Sequence, residues 1–325
     1  MLKETYFIYR ISQKVPFRGF RGLKNQLFMT FSVVICTYNR AKYLSQTIES
    51  VLKQTHLLSD FEIIIIDNNS TDNTQEILSD FKTNFNLRYY KEINQGISYA
   101  RNLGVSQAQG KYIVFIDDDE TINPDFLGNL YQFIQQYPQA ELISEPVVPV
   151  FETEKPKWFS PYTATLITGE YNKGKAIKIV GKKDYPGTGH ATFKRELFLK
   201  YGGFNTNLGR CADSLMGAED KDFFLRLMNN GIDCYYVPTA VIYHHIPAKK
   251  LTEEHFSKLT LSIGKSERIR TKNISQKAYF NRLFSEIIKW MGTTILFTYY
   301  FFTANYSKGK KLIQFRWNVT KGLLN

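Results

Sequence analysis

The sequence predicts an α/β fold, a mostly parallel Rossmann-like sheet flanked by helices. Three observations predict it. Short runs, apolar but for Ser32 and Glu62, recur at 31–36, 61–66 and 112–116, as strands buried on both faces require. Stripes of helical period separate them. Each run closes on a polar cluster: Thr37-Tyr38-Asn39-Arg40, Asp67-Asn68-Asn69 and Asp117-Asp118-Asp119. A strand–helix alternation of this kind builds a parallel sheet, and ligands bind such sheets beyond the carboxyl ends of the strands.

The first strand, 31–36, leads into a helix whose stripe is Tyr43, Leu44, Thr47, Ile48, Val51 and Leu52. The second, 61–66, holds four consecutive isoleucines and ends on Asp67. A helix over about 72–81 follows, with Ser70 or Thr71 as its N-cap. Residues 87–91 read as a strand, 97–108 as a helix and 112–116 as a strand. Asn123-Pro124 opens a helix through Tyr137. Beyond 140 the pattern is mixed. Residues 141–151 read as one strand, 155–162 as a Pro/Trp/Tyr-rich loop, 219–229 as a helix ending at Gly231, 235–244 as a strand, and 246–325 as a basic, partly helical tail. No G-x-G-x-x-G follows the first strand, which disfavours a dinucleotide site.

The chain has 325 residues, 43% hydrophobic and 22% charged, a balance that suits a globular protein. Its net charge of +12 is concentrated at the two ends. Residues 1–30 carry six Lys and Arg against one Glu, and residues 246–325 carry fifteen against four Glu, so the centre is mildly acidic. A nucleic-acid enzyme more often lines its cleft with positive charge, so nucleic acid is not an expected partner. Basic flanks suit an anionic membrane surface, the alternative being ordinary solvated faces. Three dispersed cysteines, Cys36, Cys211 and Cys234, form no C-x-x-C and fit a reducing compartment. The first 28 residues lack the apolar core of a secretory signal and read as a basic arm or an upstream extension.

Adjacent aspartates repel one another, and a bound cation relieves that repulsion. Hard ions such as Mg2+ or Mn2+ take oxygen ligands and share them with phosphates; an Asp-rich turn is the alternative. Four further strings accompany the triplet: Val33-Val34-Ile35-Cys36-Thr37-Tyr38-Asn39-Arg40, Asp67-Asn68-Asn69-Ser70-Thr71-Asp72, Asn94-x-Gly96-x-x-x-Ala100-Arg101-Asn102-x-Gly104, and Gly217-Ala218-Glu219-Asp220. Together, and in this order over 31–245, the five resemble the family 2 glycosyltransferases.

The resemblance implies a GT-A fold with a nucleotide-binding half at 31–120 and an acceptor half at 121–245. It also implies a UDP- or dTDP-sugar donor, inversion at the anomeric carbon and a glycan or lipid-linked acceptor in cell-surface polysaccharide or glycoconjugate synthesis. Asp67 would then meet the base, with Thr37 and Tyr38 lining its pocket and Asn39, Arg40 and Asn69 nearby. Arg101 would lie near the nucleotide and the Asp67 loop, or pair with Asp67 alone. Asp117 would sit by the ribose beside Asp118. Asp119 of this D-x-D motif would hold Mn2+ or Mg2+, with His244 at the strand end as a further ligand. Glu219-Asp220 matches the acid pair that contains the catalytic base. Asp220 shares a helical face with Phe223, Phe224 and Leu227 and therefore turns inward, while Lys221 and Asp222 turn away. Trp158 is a candidate sugar platform or a partly buried core residue. Gly187–His190 is a candidate acceptor floor, although relatives often carry Asn in place of His190.

The apolar run at 290–304 is shorter than the roughly 20 residues a spanning helix needs. It suits an interfacial segment, a buried terminal helix or a contact between copies of the chain. The expected location is cytoplasmic, peripheral on the inner face of the cell membrane. Gln314-Phe315-Arg316-Trp317 falls one residue short of the Q-x-x-R-W signature of processive polysaccharide synthases. A sugar nucleotidyltransferase and a non-catalytic transferase scaffold are the competing readings. The first usually carries a Gly-rich phosphate loop where Cys36–Arg40 stands, and the second conflicts with the intact acidic positions.

Overall fold

A computed structural model describes residues 29–81, 86–211 and 215–325; the basic arm expected at 1–28 lies outside the described residues. Strands β1 (Phe31–Thr37) and β2 (Phe61–Asp67) are buried along their whole length. Helix α1 (Ala41–Leu52) joins them and buries Leu44, Thr47, Ile48 and Val51, the predicted stripe. Then come α2 (Thr74–Ser79), β3 (Leu87–Lys91), α3 (Ile97–Gln107), β4 (Tyr112–Asp117), β5 (Glu120–Ile122) and α4 (Phe126–Gln136). The following half of the domain holds β6 (Leu142–Ser144), β7 (Val147–Phe151), α5 (Pro161–Thr168), β8 (Lys178–Val180), β9 (Ala191–Lys194) and α6 (Glu196–Tyr201). It closes with α7 (Glu219–Asn229), β10 (Cys234–Tyr236) and β11 (Ile242–Ile246).

Eight strands form one sheet in the order β3-β2-β1-β4-β9-β6-β10-β8, and β5-β11-β7 form a smaller one. The β3-β2-β1-β4 half is parallel throughout, whereas β9 is antiparallel to both β4 and β6. One apolar layer, with α1 and α4, covers one face of the sheet. A second, rich in phenylalanines from β9, α6 and α7, covers the other.

Several elements depart from the sequence expectation. The helix predicted from 72 begins only at Thr74 and has no side-chain cap. The predicted cap residues are engaged elsewhere: Ser70 Oγ accepts from the Asn39 amide at 3.0 Å, and Thr71 donates to Asn39 Oδ1 at 2.8 Å. Pro124 precedes α4 rather than opening it. The strand expected at 141–151 is two strands in different sheets, because Pro146 has no N–H to continue the ladder. Pro238 divides the 235–244 strand into β10 and β11 in the same way.

The tail expected to be partly helical is three long helices, α8 (Glu253–Ile274), α9 (Gln276–Phe302) and α10 (Tyr306–Leu324). Thr252 Oγ1 caps α8 by accepting from the His255 amide, and Ser275 Oγ caps α9 by accepting from Ala278. Helices α8 and α10 meet through glycines. A Cβ on Gly264 would lie 2.2 Å from the Val319 carbonyl oxygen, so the backbones can approach only without one.

Candidate functional site

Parallel pairing aligns the strand ends. Thr37 pairs in register with Asp67, and Cys36 with Asp117, so the three polar clusters meet at one edge. Two asparagines there, Asn39 and Asn69, adopt positive φ of 52° and 64°, a conformation Asn tolerates better than most residues. Asp67 is buried; its Oδ1 accepts from the Ser70 amide at 2.8 Å and its Oδ2 from Tyr89 at 3.0 Å. Tyr38 stands exposed at the rim.

The triplet divides into three environments. Thr37 donates to Asp118 Oδ2 at 2.8 Å. Burial, reinforced by the Asp119 charge and opposed by Arg40, pushes Asp118 up to about 7. Asp119 faces a cluster of cationic and imidazole groups. Its Oδ2 lies 2.6 Å from Arg40 Nη1 and 2.8 Å from Lys250 Nζ, and its Oδ1 lies 3.5 Å from His244 Nε2. Burial opposes its charge, but Lys250, His244 and Arg40 hold the carboxyl well below the usual range. Asp117 turns instead toward Arg101, 3.3 Å away. There Arg101 and His190 outweigh burial and hold it low.

Arg101 does not reach the Asp67 loop. Its buried guanidinium joins Asp117 to the acid pair, with Nη1 2.8 Å from Asp220 Oδ1 and 3.2 Å from Glu219 Oε1. The two acids differ in setting. Glu219 is sealed in, and burial followed by the Asp220 charge pushes it up to about 8. The Asp220 side chain keeps 23% exposure and accepts a hydrogen bond from Thr188 Oγ1. Lys221 and Asp222 turn away as predicted, toward Glu267 and Arg226.

The segment Gly187–His190 lies beside this centre. A Cβ on Gly189 would fall 2.6 Å from Asp117 Cγ, so a glycine lets the turn lie flat on that carboxylate. His190 is buried, and its Nε2 lies 2.8 Å from Glu120 Oε1. Burial disfavours the imidazolium, yet Glu120 and then Asp117 raise His190 to about 9. Asp117, Glu120 and His190 sit close enough to share an ion. In the ligand-free chain the 2.8 Å contact between His190 and Glu120 makes this trio an ion-paired network.

Asp119 and His244, 3.5 Å apart, are a second pair that could hold a cation. His244 Nδ1 lies 2.6 Å from the Thr168 carbonyl, which assigns the ring proton to Nδ1 and leaves the Nε2 lone pair facing Lys250 Nζ, 2.9 Å away. An oxygen and an imidazole nitrogen suit Mn2+ or Mg2+. Trp158, offered above as a sugar platform, is placed differently. Its ring packs 5.3 Å from Phe256, with Lys311 Nζ 4.4 Å from its centroid, in a cluster that joins the sheet domain to α8 and α10. That is the buried-core alternative.

Sequence reasoning missed Glu120 and Lys250. Glu120 directly follows the triplet and was open to notice. Lys250 reads as one more charge in a basic tail, and nothing local marks it.

Glu145, behind His190, is fully buried. Its Oε1 accepts from Thr192 at 2.7 Å, while Oε2 has no partner among the described residues. Burial raises it from 4.5 to about 8. The folded chain therefore binds this proton across a window where the unfolded chain has lost it. The associated stability is complete below the unfolded value and is lost as pH rises through the folded one. Glu145→Gln is expected to widen its melting-temperature advantage over the unsubstituted chain between about pH 6 and about pH 9. A pH-independent difference would rule this out.

With the parallel half-sheet and the acids at its strand ends, the architecture is that of a GT-A transferase. The chain belongs to the glycosyl transferase family 2, whose model matches residues 32–202. It is 31% identical over 202 residues to the glucosyl-dolichyl phosphate glucuronosyltransferase of Haloferax volcanii, covering 61% of this chain and 63% of that protein. It is 34% identical over 111 residues to the poly(ribitol-phosphate) beta-N-acetylglucosaminyltransferase TarS of Staphylococcus aureus, covering 34% of this chain and 19% of that one. The chain thus spans less than two thirds of either relative. Solved structures extend the fold likeness. S. aureus TarS 1–349 with UDP-GlcNAc matches with a TM-score of 0.57 at 18% identity, over 90% of this chain and 91% of that one. The mannosyltransferase PcManGT from Pyrobaculum calidifontis, solved with GDP-Man and Mn2+, matches with a TM-score of 0.57 at 16% identity, over 88% and 85%.

Proposed function

We propose that the chain is an inverting glycosyltransferase. It moves a sugar from a UDP- or dTDP-sugar to a hydroxyl of a glycan or lipid-linked acceptor. The observation that carries this reading is the register that sets Thr37, Asp67 and the Asp117–Asp119 run at one sheet edge, with Asp220 reaching the same point through Arg101. The base rests by Asp67, Thr37 and Tyr38, with Asn39, Asn69 and Asp118 shaping the loops around it. Asp119 and His244 would hold a divalent cation, Mn2+ or Mg2+, which would supply charge to offset that of the departing diphosphate. Arg40 contributes a fixed positive charge at the same place.

Asp220 takes the acceptor proton as that hydroxyl oxygen bonds to the anomeric carbon. The bond from that carbon to the diphosphate oxygen breaks, and its electron pair leaves with the nucleoside diphosphate. Glu219 stays largely protonated and holds Arg101. Thr188 and Arg101 orient the base. His190 and Gly189 form the floor beside Asp117. Residues 31–245 form the catalytic unit.

A thermal-shift panel of UDP-, dTDP- and GDP-sugars with and without Mn2+ tests the donor. A donor at a hundredfold excess over its Kd stabilises by about 2.7 kcal/mol. A rise of several degrees with a uridine or thymidine donor, enlarged by Mn2+, is expected. A response to GDP-sugars alone, or to none, would remove the reading.

The tail supplies the membrane contact. Phe280, Phe284, Ile288, Met291, Ile295 and Phe302 recur along one face of α9, and each is at least half exposed. No helix among the described residues is long and apolar enough to cross a membrane. An apolar stripe with basic surroundings lies in the plane of an anionic bilayer, on the cytoplasmic face. The chain is expected to co-sediment with phosphatidylglycerol vesicles and to lose that association with Ile288→Asp/Ile295→Asp. A concentration-dependent dimer without lipid, broken by the same substitutions, would assign the stripe to a second copy instead.

A further inference from the structure

Lys250 sits in the turn between β11 and α8, with its amide bonded to the Pro247 carbonyl at 2.9 Å. Its stem enters the cleft, and the side chain keeps 12% exposure. The ammonium lies 2.8 Å from Asp119 Oδ2 and 2.9 Å from His244 Nε2. These are the two groups suited to a divalent cation. An ammonium donating to both cannot coexist with an ion ligated by the same oxygen and nitrogen.

The surroundings explain why a cation is needed there in the ligand-free chain and why its position is contested. Asp119 and His244 both direct electron pairs into a buried space, where an unpaired carboxylate is costly. Yet the other neighbours are basic. Burial and then Lys250, Arg210, Arg40 and Lys249 depress His255, facing the same space from α8, to about 4. The cleft around Asp119 is therefore rich in positive charge before any ligand arrives, as a diphosphate site requires.

We propose that Lys250 is a built-in counter-ion of the donor site, competing with the divalent cation for Asp119 and His244 and releasing them when the donor diphosphate is present. The proposal rests on the cation-assisted reading above. The release is a side-chain movement, because the turn that carries Lys250 is fixed at Pro247 and by the Thr252 cap of α8. Metal binding is then weak without nucleotide and strengthens with it, since a diphosphate gives the displaced ammonium a new anion.

The test measures Mn2+ affinity of the full chain from the signal of free Mn2+ in electron paramagnetic resonance, with and without UDP. Without UDP, Lys250→Met is expected to bind Mn2+ about tenfold more tightly than the unsubstituted chain, because the competent state no longer has to be freed. Lys250→Arg, which keeps the charge, is expected to bind as weakly as the unsubstituted chain. Lys250→Gln covers the case in which the methionine variant does not fold. Equal or weaker Mn2+ binding by the neutral variants, with UDP-dependent binding intact, overturns the role of Lys250 and leaves the cation site standing. No Mn2+ binding by any of these chains, even with UDP, overturns both.

Discussion

Asp220→Asn is expected to keep UDP affinity within about threefold while lowering turnover, the signature of a group that acts in the transition state. A general base contributes about 100- to 10,000-fold, and the loss should fall in that range. The substitution preserves shape and leaves an oxygen for Thr188 and for Arg101 Nη1, which lies 2.8 Å from the carboxylate. What it removes is the capacity to take a proton. It also removes the charge that, after burial, helps to raise Glu219, so Glu219 should ionise at lower pH in the variant. Glu219→Gln makes a useful contrast. That side chain is buried behind Arg101, and its loss should act mainly through the placement of the guanidinium. Steady-state kinetics and UDP titration of both variants separate the two roles. Unchanged turnover in Asp220→Asn would exclude it as the base.

Arg101→Met should have the largest effect on stability. One buried guanidinium faces Asp117, Glu219 and Asp220, and no other cation makes an ion pair with those carboxylates among the described residues. Removing one partner of a buried ion pair costs about 3–5 kcal/mol. A chain of this size loses roughly 2–4 °C of melting temperature per kcal/mol, so a fall of about 10 °C is expected. Arg101→Lys should rescue little, because a single ammonium cannot occupy both ends of a planar fork. Adding Asp220→Asn to Arg101→Met should recover part of the loss by removing one orphaned charge. Strict additivity in calorimetry would show that the two side chains do not interact.

The parts of the fold legible in the sequence were those written in local period. Strands β1, β2 and β4 are apolar runs broken only by Ser32 and Glu62, and they pair in the register that their polar ends implied. Helix α7 was legible from its stripe and its terminal Gly231, which adopts φ 84°. The misread segments are those where a single residue overrides the pattern around it. Asn39 takes the cap residues of α2, and Pro146 and Pro238 redirect strands whose apolar content looks continuous. The site follows the same division. Thr37, Asp67 and Asp117–Asp119 sit at predictable strand ends. Two partners of Arg101, Glu219 and Asp220, lie more than a hundred residues along the chain, and Lys250 reaches Asp119 across a similar span. No periodicity records contacts of that kind. Trp158 takes the partly buried of its two readings, packed against Phe256 of α8.

The most direct test of the donor site is a crystal structure of the chain with UDP and Mn2+. Uracil against Asp67 and Thr37, with the diphosphate beside Asp119, Arg40 and Lys250, is the predicted result. UDP bound elsewhere, or a diphosphate with no contact to the Asp117–Asp119 edge, would contradict it.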